Sequence, residues 1–271
     1  NTIGAVTGTG ALQVTVAGAA GGVFIVGLNV FGTAAGTVVV SNNVVGSLTA
    51  TGSTTLNANI NALQLIGGLL TVTNNTVGSA TTANSIQVTT TGASATGQQA
   101  IGMLIATTMP ITIAGNTVGN LANAGTGTAH LVRGIQVQAP AVTAGASAGA
   151  ATIQLNTVHD LSAASANTTL ASGGTAVTGI SHLAVSPYGA SVDQNVVSAI
   201  SATNAGAVAT SAAGIGFANA TNGSVTRNKI YDIRNASTGT TATTPPMAIG
   251  VLLRASPGCG SRVVNNMIRS E

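Results

Sequence analysis

The sequence predicts an all-β solenoid, in which short strands coil and stack on copies of themselves. Three observations predict it. The phrase Asn-x-(Val/Ile)-x-x-(apolar) recurs eight times, beginning at Asn1, Asn43, Asn75, Asn116, Asn156, Asn195, Asn228 and Asn266, at intervals of 42, 32, 41, 40, 39, 33 and 38 residues. A second phrase, a glycine ahead of a short β-branched run, falls between the Asn phrases. No segment has the polar face of a surface helix, because charged residues make up only 4% of the chain. A period averaging about 38 residues marks a repeat architecture.

Taken in order, the repeat begins three residues before its Asn. That column reads Val40, Val72, Ile113, Ile153, Val192, Val225 and Val263. Two residues after the Asn stand Ile3, Val45, Val77, Val118, Val158, Val197, Ile230 and Ile268, always β-branched. Five after stand Val6, Leu48, Ala80, Leu121, Leu161, Ile200 and Ile233, and Glu271 breaks the column. Strand side chains alternate, so the Asn and the residue two beyond it point the same way, into the coil. The second phrase reads GVFIV at 22–26, GMLIA at 102–106, GIQVQ at 134–138, GISHL at 179–183, GIGFA at 214–218 and GVLLR at 250–254, with a weaker ALQLI at 62–66. These runs predict strands with a turn in front. Ala/Thr/Gly/Ser tracts of variable length lie between and read as loops.

One coil cannot bury its apolar face alone, so coils stack and equivalent residues form columns about 4.8 Å apart. A buried amide must be hydrogen-bonded, and a stack of Asn side chains can satisfy itself from coil to coil. Asn also tolerates the left-handed conformation of a sharp corner. The eight asparagines are therefore expected to form a structural ladder.

The pattern G-I-x-V, a loop, then V-x-x-N-x-V resembles the coil of the right-handed parallel β-helix family, the pectate-lyase-like superfamily. The resemblance covers nearly the whole chain and implies one right-handed β-helix over residues 1–271, of about seven coils. Its members include pectin-cleaving enzymes, phage tailspikes, adhesins and surface-layer or filament proteins. About 38 residues is long for a three-sided coil, so extra strands or a protruding loop per coil are expected.

Composition excludes several functions. Seven cations for about seven coils, with 2% aromatics, make a dilute field without the basic clusters and stacking platforms of nucleic-acid binding. The longest apolar run, AAGGVFIVGL at 19–28, is interrupted by Asn29 and is shorter than the roughly 20 residues of a membrane-spanning helix. The chain lacks the aromatic girdles of a membrane barrel. Its single cysteine, Cys259, excludes an intrachain disulfide and reads as a loop residue or a link to another chain. No metal cluster or cofactor motif is present. Asn1 already sits on a rung with no initiator Met, so the chain is expected to be the mature or ordered part of a longer precursor.

The pectin-cleaving relatives set Asp residues on adjacent coils. Here Asp160 and Asp232 share a register, four after their Asn, with Ala199 between them, and lie roughly 9.6 Å apart along the stack. His159, Tyr231 and Arg234 flank them. Asp at the end of a strand phrase is also a turn former. With no third acid nearby, neither residue is assigned a catalytic role, and the chain is read as a non-enzyme. His130 and His182 lie off this register.

One residue past the Asn, the outward column includes Thr76, Thr117 and Thr157, beside Gly78 and Gly119 in the column three past. That smooth strip is the expected assembly surface. Eight of the eleven charged residues fall after position 226 and none lies in the first hundred, so the early coils suit packing better than exposure to water alone. Arg262, Arg269 and Glu271 are the expected end-on junction between subunits. The sequence thus predicts an extracellular or cell-surface structural protein, a subunit of a self-assembling filament, fibre or sheath. The alternative is an adhesin or carbohydrate-binding stalk that meets surface polysaccharide; third is a polysaccharide lyase or hydrolase.

Overall fold

The computed structural model describes residues 1–16, 22–33, 36–53, 57–91, 97–138, 149–168, 175–183, 189–218, 223–239, 246–254 and 260–269. Cys259 and Glu271 lie outside the described residues. Every described strand pairing is parallel, in three sheets of 11, 7 and 7 strands. In chain order, sheet 1 receives β1 (Thr2–Gly4) and β2 (Leu12–Thr15), sheet 2 receives β3 (Val23–Phe31) and sheet 3 receives β4 (Thr37–Ser41). The next coil runs β5 (Val44–Gly46), β6 (Leu48–Thr51), β7 (Ala58–Ile66), β8 (Leu69–Thr73), and the third β9 (Thr76–Val77), β10 (Ile86–Val88), β11 (Gln99–Ala106), β12 (Ile111–Ala114). From there each coil has one strand per sheet: β13 (Thr117–Asn123), β14 (Leu131–Gln138), β15 (Ala150–Gln154); β16 (Thr157–Ala163), β17 (Val177–His182), β18 (Gly189–Asp193). The last are β19 (Val196–Ala202), β20 (Ser211–Ala218), β21 (Ser224–Thr226), then β22 (Lys229–Asn235), β23 (Met247–Arg254), β24 (Arg262–Val264) and β25 (Met267–Arg269).

The chain is thus an all-β parallel solenoid of about six turns and about 38 residues per turn, close to the seven expected. Among the described residues there is no fourth sheet. In the first three coils the sheet 1 strand is split in two. Among the described residues no helix is long and apolar enough to cross a membrane.

The Asn column is a continuous ladder at the corner between sheets 3 and 1. Each Nδ2 donates to the Oδ1 of the next rung, from Asn1 to Asn43 and on to Asn266, in seven steps of 2.9–3.0 Å. The same Oδ1 accepts the backbone N–H of the preceding rung, as Asn156 does from Asn116 at 2.9 Å. From Asn75 on, the other side of each NH2 reaches a carbonyl of the preceding coil, as from Asn116 to Val72 and from Asn156 to Ile113, both 2.9 Å. A buried amide is satisfied throughout. The rung itself is not the left-handed residue, contrary to expectation. That conformation falls one position earlier, at Asn42, Asn74, Gly115, Leu155, Gln194, Arg227 and Asn265, with φ between 54° and 65°. The corner turns there, and the rung is left free to aim inward.

The core fills from all three sheets with the columns read in the sequence, including Val72, Val118, Ile153, Leu161 and Ile200. In the last coil Val263 and Ile268 are exposed, and in the column five after the Asn two positions depart: Ala80 is exposed and Val6 is 55% exposed. Ile86 and Leu12 instead occupy that column, each in register with Leu48. The segment ahead of each loops out and restores the register; Ile86 is buried in the core, whereas Leu12 in the first coil is 38% exposed.

Apart from Gly22, which precedes β3, the glycines of the second phrase do not open their strands; they lie inside them. Gly134 is in the middle of β14, where a Cβ would come within 2.5 Å of both Val158 Cγ1 and Gly179 O. Gly27, Gly102, Gly179, Gly214 and Gly250 repeat this against Val45, Val118, Val197, Ile230 and Ile268. The β-branched column two after the Asn thus packs into a glycine groove on sheet 2. The register also corrects the first coil, where Gly27–Phe31, and not 22–26, aligns with Ala62–Ile66.

A second polar corner, between sheets 1 and 2, was not anticipated. Asn123 donates to Gln98 O and Leu131 O, and Asn235 to Thr210 O and Met247 O. Ser165 does the same work between them, donating to Gly127 O and His130 O.

Two outcomes follow from the ladder corner. Asn156→Leu strips an acceptor from both the side chain and the backbone N–H of Asn116, and is expected to cost about 3 kcal/mol in chemical denaturation, at 1–3 kcal/mol per orphaned buried group. Leu155 sits at φ 57° with 56% exposure, so Leu155→Gly removes a left-handed strain and no core contact. It is expected to raise stability by about 1 kcal/mol in the same assay.

Candidate functional site

Sheet 1 carries a second left-handed column, four residues after the rung. Ser47, Asn120, Asp160, Ala199 and Asp232 have φ of 52–57°. In β13, β16, β19 and β22 this residue drops out of the pairing register while its neighbours stay paired, as His159 with Ser198 and Leu161 with Ile200. The strand bends there and the sheet becomes concave. Stacked bends make a shallow trough of about 320 Å³ running up the solenoid, lined by Ala83, Asn84, Asn120, Asp160, Leu161, Ser162, Ala199, Ser201, Asp232 and Arg234.

The structure therefore brings Asp160 and Asp232 to one surface, with Ala199 between them, as their register implied. Each has its own neighbour. His159 Nδ1 lies 2.7 Å from Asp160 Oδ2, and Arg234 pairs with Asp232. Their two-coil separation, roughly 9.6 Å by strand spacing, is just beyond the window of about 6.5–9.5 Å for an inverting pair of carboxylates, and far from the retaining one. Asn120 donates to Ser79 O at 2.6 Å, which braces the rim. Tyr231 stands beside Asp232 with Lys229 Nζ 4.7 Å over its ring. Among the described residues no group of three or more His, Cys, Asp or Glu could hold a metal ion.

The expected assembly strip is only partly a surface. Thr76, Thr117 and Thr157 are in register and half-buried. Gly78 and Gly119 beside them are buried, and the His159 ring lies where a Cβ of Gly119 would be. Arg262 and Arg269 are exposed but on different sheets, 3 and 1.

The sequence reading missed three features. Asn84, Ser162 and Ser201 line the trough, and reading the column six after the Asn would have found both serines. Arg133 is buried, with Nη1 donating to Val132 O at 2.8 Å; burial pushes its pKa down to about 9, so it stays cationic at neutral pH. His182 is a core residue, stacked on Phe217 with ring centroids 5.3 Å apart.

Comparison with protein-family models, curated proteins and solved structures finds no match for this chain.

Burial pushes the His182 imidazole down to about 4. The folded chain holds it neutral, whereas the unfolded chain protonates it near 6.5. Stability from this residue is complete above about pH 6.5 and is lost as pH falls toward 4, by about 3 kcal/mol in all. Asp193, whose pKa Arg227 holds below the usual value, loses its contribution only at lower pH. Denaturation measured from pH 7 to 4 should show this slope, and His182→Phe should flatten it.

Proposed function

We propose that the chain is a structural element of a cell surface, a rigid β-solenoid rod that packs side by side into a filament or sheath. The carrying observation is where its exposed apolar side chains lie. Phe24, Phe31 and Val39 are 55%, 67% and 63% exposed. Phe24 alternates with the core residues Val23 and Ile25, and Val39 lies between Val38 and Val40, which face the core. They therefore point outward from sheets 2 and 3, not along the stack. No charged residue occurs in the first hundred positions. An uncharged flank bearing exposed aromatic residues suits burial against a neighbour. The seven-step ladder supports the same reading, because it holds consecutive coils in fixed register.

Negative-stain imaging with sedimentation velocity tests this. Rods that associate laterally are expected, and the association should persist in about 1 M salt because the flank has no charge to screen. Phe24→Ser with Phe31→Ser should release monomers of unchanged stability. A parent protein that stays monomeric at high concentration, or fibres untouched by the double substitution, would overturn the reading.

A further inference from the structure

We propose that the outward face of β22 and β25, at one end of sheet 1, docks on an anionic phospholipid surface and seats the rod on a membrane. Six of the seven cations, Arg227, Lys229, Arg234, Arg254, Arg262 and Arg269, fall within residues 227–269. Two of them are neutralised, Arg227 by Asp193 and Arg234 by Asp232. Among the described residues no acid pairs with Lys229, Arg254, Arg262 or Arg269, and all four are exposed. Strand geometry gathers two of these on one face. Ile230 is buried in the core, so its neighbours Lys229 and Tyr231 point outward. β25 runs beside them with Met267 opposite Lys229 and Arg269 opposite Tyr231. Arg262 flanks the face from sheet 3, four residues before the corner Asn266. The rest of the rod does not compete. Residues 1–226 hold one cation, the buried Arg133, and two acids, Asp160 and Asp193. Attraction to an anionic surface is therefore confined to one end and orients the rod.

The hollow between the two strands selects the group that binds. Lys229, Ile230, Tyr231, Met267 and Arg269 line a space of about 100 Å³, which admits a small anion and no polymer. Lys229 Nζ stands 4.7 Å over the Tyr231 ring, which holds the ammonium at the hollow. An ammonium and a guanidinium lining one hollow are matched by a phosphate, which a guanidinium can grip through two N–H groups. The surroundings favour a phosphate set in a membrane. Met267 is 52% exposed beside the cations. Tyr231 has an apolar ring and a polar tip, the character of residues that settle at headgroup level. Apolar side chains among cations fit a partner whose charged surface covers an apolar interior. Nucleic acid is disfavoured, because a single tyrosine is not a row of stacking platforms.

The test is co-sedimentation of the intact chain with vesicles of phosphatidylcholine alone and of phosphatidylcholine with phosphatidylglycerol. Binding to the anionic vesicles only is expected, and about 0.5 M salt should abolish it. Lys229→Gln with Arg269→Gln should weaken it at least tenfold, at about fivefold per cation, with the thermal melt unchanged. Met267→Ser should weaken it severalfold. Arg254→Gln removes the same charge from sheet 2, off this face, and should change it less than about twofold. Equal binding to both vesicles, or full affinity in the Lys229/Arg269 double variant, would overturn the proposal. Binding to duplex DNA with none to anionic vesicles would overturn the partner. A loss in Arg254→Gln as large as in the double variant would overturn the location, as would loss of vesicle binding in the Phe24→Ser, Phe31→Ser protein. Lateral association is scored by sedimentation in high salt, where the vesicle contact is absent, so either reading can fail alone.

Discussion

An asparagine amide buried at a coil corner has one oxygen and two N–H groups to satisfy, and no water to do it. The ladder is the solution, and the rest of the structure is arranged around it. From Asn75 to Asn228 each Oδ1 takes two donors from the rung before, and each NH2 spans the rung after and a carbonyl of the coil before. That geometry tolerates almost no slip. A one-residue slip would turn every rung outward and expose the β-branched column with it. Coil length, by contrast, is free. The 32-residue and 42-residue intervals present their asparagines to the ladder in the same way, because the difference is absorbed in connecting segments.

The ladder fixes one corner, and the glycine groove fixes the distance across the coil from it. The β-branched residue two after each rung needs space on sheet 2, and a side chain there would collide with its Cγ atoms and with the next coil's carbonyl. Glycine in mid-strand ordinarily weakens a strand. Here the loss is offset by burial of a Val or Ile in each coil, about 1.5–3 kcal/mol apiece. Ala62 shows that one coil accommodates a methyl group in this column.

Much of this was legible because periodicity exposes whatever every coil needs. The rung and the β-branched column, in eight copies, and the three-before column, in seven, are coil-invariant, and repetition reveals them. The features that were missed vary from coil to coil. The corner between sheets 1 and 2 uses Asn123, Ser165 and Asn235 at different offsets, so no column appears. The exchange of Ala80 for Ile86 was hidden because Ala80 is apolar and sits at the expected offset; only pairing distinguishes it. The left-handed residue before the rung was misassigned to the rung because Asn42, Asn74 and Asn265 place two asparagines in tandem, and the sequence does not say which one turns. The glycines were read as turn residues because turns are where glycine usually stands, and a groove between facing sheets has no signature along the chain.

The trough obeys a different logic from the ladder. Its bends hold Ser, Asn, Asp, Ala and Asp in nearly one backbone conformation. The fold therefore requires the conformation there and not the side chain. A left-handed position costs an ordinary residue about 1–2 kcal/mol, less for Asn and Asp, whose short polar side chains bond locally. Ala199 has no such compensation and still adopts φ 53°, so stacking with the coils on either side imposes the bend. A position whose backbone is imposed from outside and whose side chain reaches solvent is free to carry surface chemistry. Asp160 and Asp232 share the conformation with Ala199 and the buried Asn120 for that reason, whereas Asn116, Asn156 and Asn228, four residues before Asn120, Asp160 and Asp232, cannot differ from one another.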